Sequence, residues 1–206
     1  VEGAEDDSGA AGRALRKQRF ARKDLVIGIS ASRTTPFVAG ALAFARERGA
    51  ATVLVTCNRA SGPRAADLVI ELETGPEPIA GSTRMRAGTA TKICLNTITT
   101  AAMVRLNRSH GNRMVCVRSN SAKLRERATH LVTEIGAVST ARARNLLAAS
   151  NWDVRTAILR AKGASFSSAL HLLAEHDGNL RKAIESVMGH GVMKSRKTKN
   201  PIPSAG

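Results

Sequence analysis

Aromatic residues make up only 2% of the 206-residue chain, with four Phe, one Trp and no Tyr. The core is therefore expected to be aliphatic and alanine-rich, and ring platforms for stacking single-stranded nucleic acid are scarce. Cysteine is sparse too. Cys57, Cys94 and Cys116 are odd in number and widely spaced, with no Cys-x-x-Cys pair and no His at ligand spacing. This argues against a disulfide framework or a zinc site and fits reduced thiols in a cytoplasmic protein. No apolar run is long enough to span a membrane, and no signal peptide is visible, so no membrane partner is expected. No metal or cofactor is expected either.

Acidic residues are outnumbered, 16 against 32 Lys and Arg, giving a net charge of +16. Such a balance attracts polyanions whatever the fold. Much of the charge is local: Arg13 to Lys23 reads as the solvated side of a helix plus a loop, and Lys194 to Lys199 as part of a tail. Salt-sensitive, nonspecific adhesion is expected, and a specific nucleic-acid partner is not.

What is present reads as α/β, and 43% hydrophobic content suffices for a core. Leu25, Val26, Ile27 and Ile29 form a nearly unbroken apolar run, as a parallel strand covered on both faces requires. The polar loop from Ser30 then enters a helix with Pro36 in its first turn, ending near Arg48 before Gly49. Strands are predicted at 51–57 and 67–71. Ligands collect at the carboxyl ends of such strands, and there Ser30, Ser32 and Thr35 can surround a phosphate with hydroxyls. No Gly-x-Gly-x-x-Gly follows any strand, and Gly28-Ile-Ser-Ala-Ser32 lacks the second glycine of a nucleophile elbow. Neither a dinucleotide enzyme nor a serine hydrolase is supported.

Gly75 to Lys92 is the stretch around which the rest is organised. Pro76 and Pro78 forbid regular helix, Gly81 frees a tight turn, and Ser82 and Thr83 are placed to cap the helix expected over 88–107. With Arg84 and Arg86, such a loop can seat an anion. Glu77 reads as a cap or turn partner, with a place in the pocket lining as the alternative. The following helix offers Ile93, Ile98, Met103 and Leu106 to a core or to a subunit interface. The acidic opening, through Asp7, reads as the first turn of a helix running to about Gln18. Helix is also expected from Ser119 to Ile135.

Beyond Val138 the texture changes to short helices with an internal echo. Leu146 to Ile158 matches Leu172 to Ile184 at a shift of 26, each copy placing an Asn or Asp turn before a helix. A small helical bundle is expected over 137–188 and a disordered basic tail over 189–206. His171 and His176, five apart, read as surface or cap residues.

The string Gly-Pro-Glu, spacer, Gly81-Ser-Thr-Arg84, ending at Lys92, resembles the signature of the N-acetylmuramic acid 6-phosphate etherases and of the related glucokinase regulatory protein, both built on the sugar isomerase (SIS) domain. The resemblance extends from Val1 to about Glu185. It implies a partial SIS domain with a parallel sheet over 1–136, followed by a C-terminal bundle like ubiquitin-associated folds. It also implies that Glu5, within Glu-Gly-Ala-Glu-Asp, is a catalytic carboxylate, that Ser30, Ser32 and Thr35 hold a phosphate, and that Ser82 and Thr83 contribute to binding. The implied reaction cleaves the lactyl ether of N-acetylmuramic acid 6-phosphate to N-acetylglucosamine 6-phosphate and D-lactate, with a sugar phosphate as substrate and a homodimer as assembly. The alternative is a non-catalytic sugar-phosphate-binding regulator. Three positions depart from the family pattern: Arg33 stands where a glycine is usual, Thr34 where an arginine is usual, and Arg86 replaces a lysine. The chain lacks an initiator Met and aligns from mid-protein onward, with the second catalytic carboxylate and another phosphate loop upstream. It is therefore expected to be a fragment, inactive or nearly so by itself.

Overall fold

Leu25–Ile29 (β1), Ala51–Thr56 (β2) and Leu68–Glu71 (β3) form a parallel sheet in the order β1-β2-β3, with Ile27 opposite Val53 and Val55 opposite Ile70. The computed structural model describes residues 2–59 and 66–197. Helix α2, Pro36–Glu47, connects β1 to β2 and packs on both. It comes close because Gly28 has no side chain; a Cβ there would lie 2.7 Å from Val38 Cγ1. Leu42 of α2, Leu54 of β2 and Ala66 make the small core of this part, with Val26, Val38 and Val69 against it. At the amino-terminal side of the sheet the Asp67 carboxylate accepts from both the N–H and the hydroxyl of Thr52, each at 2.8 Å. The turns that follow all three strands leave from the opposite edge.

The expectation that β1 is covered on both faces is corrected. Side chains alternate along a strand; Val26 and Gly28 face α2, while Leu25 and Ile29 on the other face are 52% and 44% exposed. The run is apolar, but only one of its faces lies against α2.

Helix α1, Ser8–Lys17, packs on α2. Asp7 caps it, its Oδ1 accepting from Gly9 N at 2.8 Å and Ala10 N at 3.0 Å. The Arg13 guanidinium bonded to the same side chain holds the Asp7 carboxyl below its ordinary range. Two glycines make the crossing close. A Cβ on Gly12 would meet the Phe44 ring at 3.2 Å, and one on Gly40 would lie 1.9 Å from the Ser8 carbonyl oxygen. Part of the basic run is used here, since Arg16 stacks over Phe44 at 5.1 Å.

Helix α3 spans Arg86–Arg105 and begins two residues earlier than expected. Among the described residues its apolar surface is not a core. Only Ala87 is buried, and Ile93, Met103 and Leu106 are each more than half exposed.

The chain divides into two compact units, Val1–Ile98 and Thr99–Gly206. In the second, Ser109–His110 (β4) pairs antiparallel with Arg113–Met114 (β5), and five helices follow: α4 Ala122–Gly136, α5 Thr140–Ala148, α6 Val154–Ala161, α7 Phe166–Glu175 and α8 Leu180–Lys197. The internal echo is a structural repeat. Asn151 and Trp152 have positive φ as do Asp177 and Gly178, and Asp153 and Asn179 cap α6 and α8 through Thr156 N and Lys182 N. Val154 and Ala157 are buried with their counterparts Leu180 and Ala183. Residues 137–188 share this core with Ala128 and Val132 of α4 and with Val115 and Val117. His176 ends α7 as its C-cap and bonds Ser186 Oγ at 2.9 Å. Where a disordered tail is expected from residue 189, α8 continues to Lys197; residues 198–206 lie outside those described.

Candidate active site

Ser30 follows β1 directly, its N–H donating to Val55 O at 3.0 Å as though continuing the strand, and it is 4% exposed. The loop then turns back, Arg33 N donating to Ser30 O at 3.1 Å. This brings the hydroxyls into one cluster. Ser30 Oγ lies 2.8 Å from Thr35 Oγ1 and 3.4 Å from Ser32 Oγ, while the Thr34 hydroxyl donates to Ser32 Oγ at 3.0 Å. Thr35 is the N-cap of α2 but makes no side-chain capping bond, and Pro36 opens the helix, as expected. A positive helix end and adjacent hydroxyls thus occupy one short loop.

Two residues that sequence reasoning missed brace this loop, one at the end of β2 and one in the turn after it. Thr56 Oγ1 donates to Ala31 O at 3.3 Å, and Asn58 Nδ2 donates to Ser32 O at 3.3 Å. Polar residues at the carboxyl end of an apolar strand were the available signal. The turn after β3 is tied to the same edge by Arg59, paired with Glu73 at 2.7 Å. Such an exposed pair contributes little stability, so its value is positional.

Arg33 has φ +72°, in the left-handed region, where glycine is at ease and any other side chain costs roughly 1–2 kcal/mol. The position therefore demands the backbone that the usual glycine provides, and arginine takes it under strain.

Glu5 joins this site through its backbone. Phe37 N, in the first turn of α2, donates to Glu5 O at 3.0 Å. The Glu5 side chain is exposed, and its carboxylate has no hydrogen-bond partner among the described residues. The carboxylate is thus left open to solvent on a residue whose backbone is fixed to the first turn of α2.

Ser82 and Thr83 do not cap α3. Ser82 N closes a turn on Ile79 O at 3.1 Å, and the helix end is capped by Glu77, whose carboxylate accepts from Arg86 N at 3.0 Å and Ala87 N at 2.9 Å. Gly75 and Gly81, at φ +66° and +83°, allow the chain to fold back for this. Arg86 also donates to Pro76 O at 2.8 Å. A cleft of about 710 Å³ lies against this turn, lined by Thr74, Pro78, Arg84, Arg86, Thr89 and Ile93 among others. Ser82 and Thr83 make no hydrogen bond to the Ser30 loop among the described residues, so the hydroxyls fall into two groups: Ser30, Ser32 and Thr35 together, Ser82 and Thr83 apart. No group of His, Cys, Asp or Glu able to hold a metal ion occurs among the described residues.

The bonds from Ala87 and Arg86 hold the Glu77 carboxyl below its ordinary value of 4.5. A depressed pKa means the cap is fully present above that value and is lost as pH falls through the folded one. Protection of the Arg86 and Ala87 amides from hydrogen exchange is expected to fall in this acid range, and at neutral pH in Glu77→Ala. Unchanged protection in the variant would remove the cap from the account.

Residues 9–101 match the family model of the SIS domain. Together with the parallel sheet and its hydroxyl loop, that settles the class of this region. Residues 9–101 are a SIS domain. The chain is 43% identical over 187 residues to an N-acetylmuramic acid 6-phosphate etherase of Geobacillus thermodenitrificans, covering 90% of this chain and 63% of that one. It is 42% identical to proteins of the same name from Synechocystis sp., over 90% of this chain and 61% of that one, and from Yersinia pestis, over 89% and 63%. The chain therefore spans somewhat under two thirds of the length of these curated relatives. Among the described residues, no helix is long and apolar enough to cross a membrane.

Proposed function

We propose that this SIS domain binds the phosphate of an N-acetylated amino-sugar 6-phosphate and belongs to a carbon–oxygen lyase that splits the lactyl ether of N-acetylmuramic acid 6-phosphate. The observation that carries the reading is the convergence of Ser30, Ser32 and Thr35 in one hydroxyl cluster beside the α2 terminus to which Glu5 is bonded. The names of the similar proteins support the substrate.

With the ring open, the C2 proton lies next to an aldehyde and is acidic enough for a carboxylate to remove. Glu5 takes it, a C2–C3 double bond forms, and the C3–oxygen bond breaks, lactate leaving with a proton from an acid. Water then adds its hydroxyl to C3 and a proton to C2, giving N-acetylglucosamine 6-phosphate and D-lactate. Base and acid must hold different protonation states at once, which requires two groups in different environments. Glu5 fills one role; Glu77, committed to capping α3, does not fill the other. The 206 residues by themselves are therefore read as a binding half-site with little ether cleavage. Ser82 and Thr83, in the turn before α3, are retained as substrate contacts on the resemblance alone. The exposed Ile93 and Met103 of α3 and Leu106 just after it support a paired assembly, and the free thiols of Cys57, Cys94 and Cys116 a cytoplasmic setting.

Calorimetric titration is expected to show binding of N-acetylglucosamine 6-phosphate and not of unphosphorylated N-acetylglucosamine. D-lactate release from N-acetylmuramic acid 6-phosphate by the isolated chain is expected to be near background. Equal binding of both sugars would end the sugar-phosphate reading; robust lactate release would end the half-site reading.

A further inference from the structure

The geometry points to Arg33 as the residue that recognises the charge of the phosphate in this chain. The inference rests on the sugar-phosphate reading above and deepens it by separating charge recognition from hydroxyl contact. Arg33 sits inside the hydroxyl loop, between Ser32 and Thr34, with its N–H closing the turn on Ser30 O. Its φ of +72° is a conformation that glycine adopts without penalty, so nothing in the backbone calls for an arginine.

The side chain adds a second cost. Nη1 of Arg33 is shielded from solvent yet has no hydrogen-bond partner among the described residues. Other arginines of the same unit are satisfied: Arg13 pairs with Asp7, Arg59 with Glu73, and Arg86 with the Pro76 carbonyl. Arg33 as a whole is half-buried, but a shielded cationic donor without a partner is costly, and an anion that completes it removes that cost. A phosphate monoester supplies both the negative charge and the paired oxygens that a guanidinium fork matches. A neutral hydroxyl or carbonyl of the sugar supplies neither charge nor fork partner.

The two features together give a signature. Arg33 strains the loop and leaves a donor unpaired, so removing it should not harm the fold. The clustered hydroxyls can bond any acceptor, phosphorylated or not. Loss of the guanidinium should therefore weaken binding of the phosphorylated sugar specifically, while stability stays level or rises.

The test is titration of the 206-residue chain, Arg33→Gln and Arg33→Gly with N-acetylglucosamine 6-phosphate and with N-acetylglucosamine, alongside their melting temperatures. Both variants are expected to bind the phosphorylated sugar about 10- to 100-fold more weakly, the range for hydrogen bonds to a charged group. Arg33→Gly should melt no lower than the parent, because it relieves the strain at this φ. Selective binding by the parent, retained undiminished in both variants, would overturn the role of Arg33 and leave the sugar-phosphate reading standing. A parent that does not distinguish the two sugars would overturn both. A lowered melting temperature in Arg33→Gly would mark the residue as structural and overturn the inference.

Discussion

Glu5→Gln is expected to slow deuterium exchange at C2 of N-acetylglucosamine 6-phosphate by about 10²- to 10⁴-fold, the usual contribution of a positioned general base. Exchange at C2 needs only the base, so it reads this residue without requiring the ether to break. The substitution keeps the size of the side chain and removes its ability to take a proton. It also leaves the anchoring contact untouched, because Phe37 N bonds the Glu5 carbonyl, a backbone group. Binding of the sugar phosphate should therefore persist at nearly the parent affinity, a split that a merely structural role would not give. Asp6→Asn, at the adjacent exposed carboxylate, serves as the control for general electrostatics and should leave exchange within about twofold of the parent. NMR of the C2 proton in D2O measures both. Undiminished exchange in Glu5→Gln would remove Glu5 from the mechanism.

The parts of this molecule that were legible in the sequence are those set by neighbours along the chain. The 26-residue echo placed the turns and caps of α6 and α8 because capping and positive-φ turns are written within a few residues. Pro36 and the hydroxyls of Ser30, Ser32 and Thr35 were legible for the same reason. The rest depends on encounters between distant residues. Ser82 and Thr83 look like caps, but a carboxylate nine residues before Arg86 reaches both helix amides once Gly75 lets the chain double back. The apolar run of β1 says that the strand is buried, not how many of its faces are covered, and Leu25 and Ile29 remain exposed. Likewise the apolar surface of α3 told of burial somewhere, and the described residues do not supply it. The departure at Arg33 was visible as a letter, yet only the backbone revealed that its position requires positive φ.

Gly40→Ala should uncouple Glu5 from the phosphate loop. In a helix interior, glycine normally reads as a cost of about 1 kcal/mol against alanine, so the substitution would stabilise α2 if nothing stood opposite. Here the backbone of Ser8 does: a Cβ on Gly40 would lie 1.9 Å from its carbonyl oxygen and 2.7 Å from its carbonyl carbon. Backbone cannot rotate aside as a side chain can, so α1 must lift from α2, a kind of overpacking that costs roughly 1–3 kcal/mol. The clash is three residues from Glu5, whose carbonyl then loses its hold on Phe37 N. Misplacing a catalytic group by about 1 Å costs on the order of 10²-fold in rate. The loop that carries Ser30, Ser32 and Thr35 is held by its own hydroxyls, by Val55 and Thr56 of β2 and by Asn58, so phosphate affinity should fall far less than C2 exchange. Gly12→Ala is the graded comparison, since its Cβ would meet the Phe44 ring at 3.2 Å, where a small ring shift suffices. Its effect on exchange should be several-fold smaller. Melting curves and C2 exchange on the two variants decide the matter: a Gly40→Ala protein as stable and as fast as its parent would mean that α1 does not set the position of Glu5.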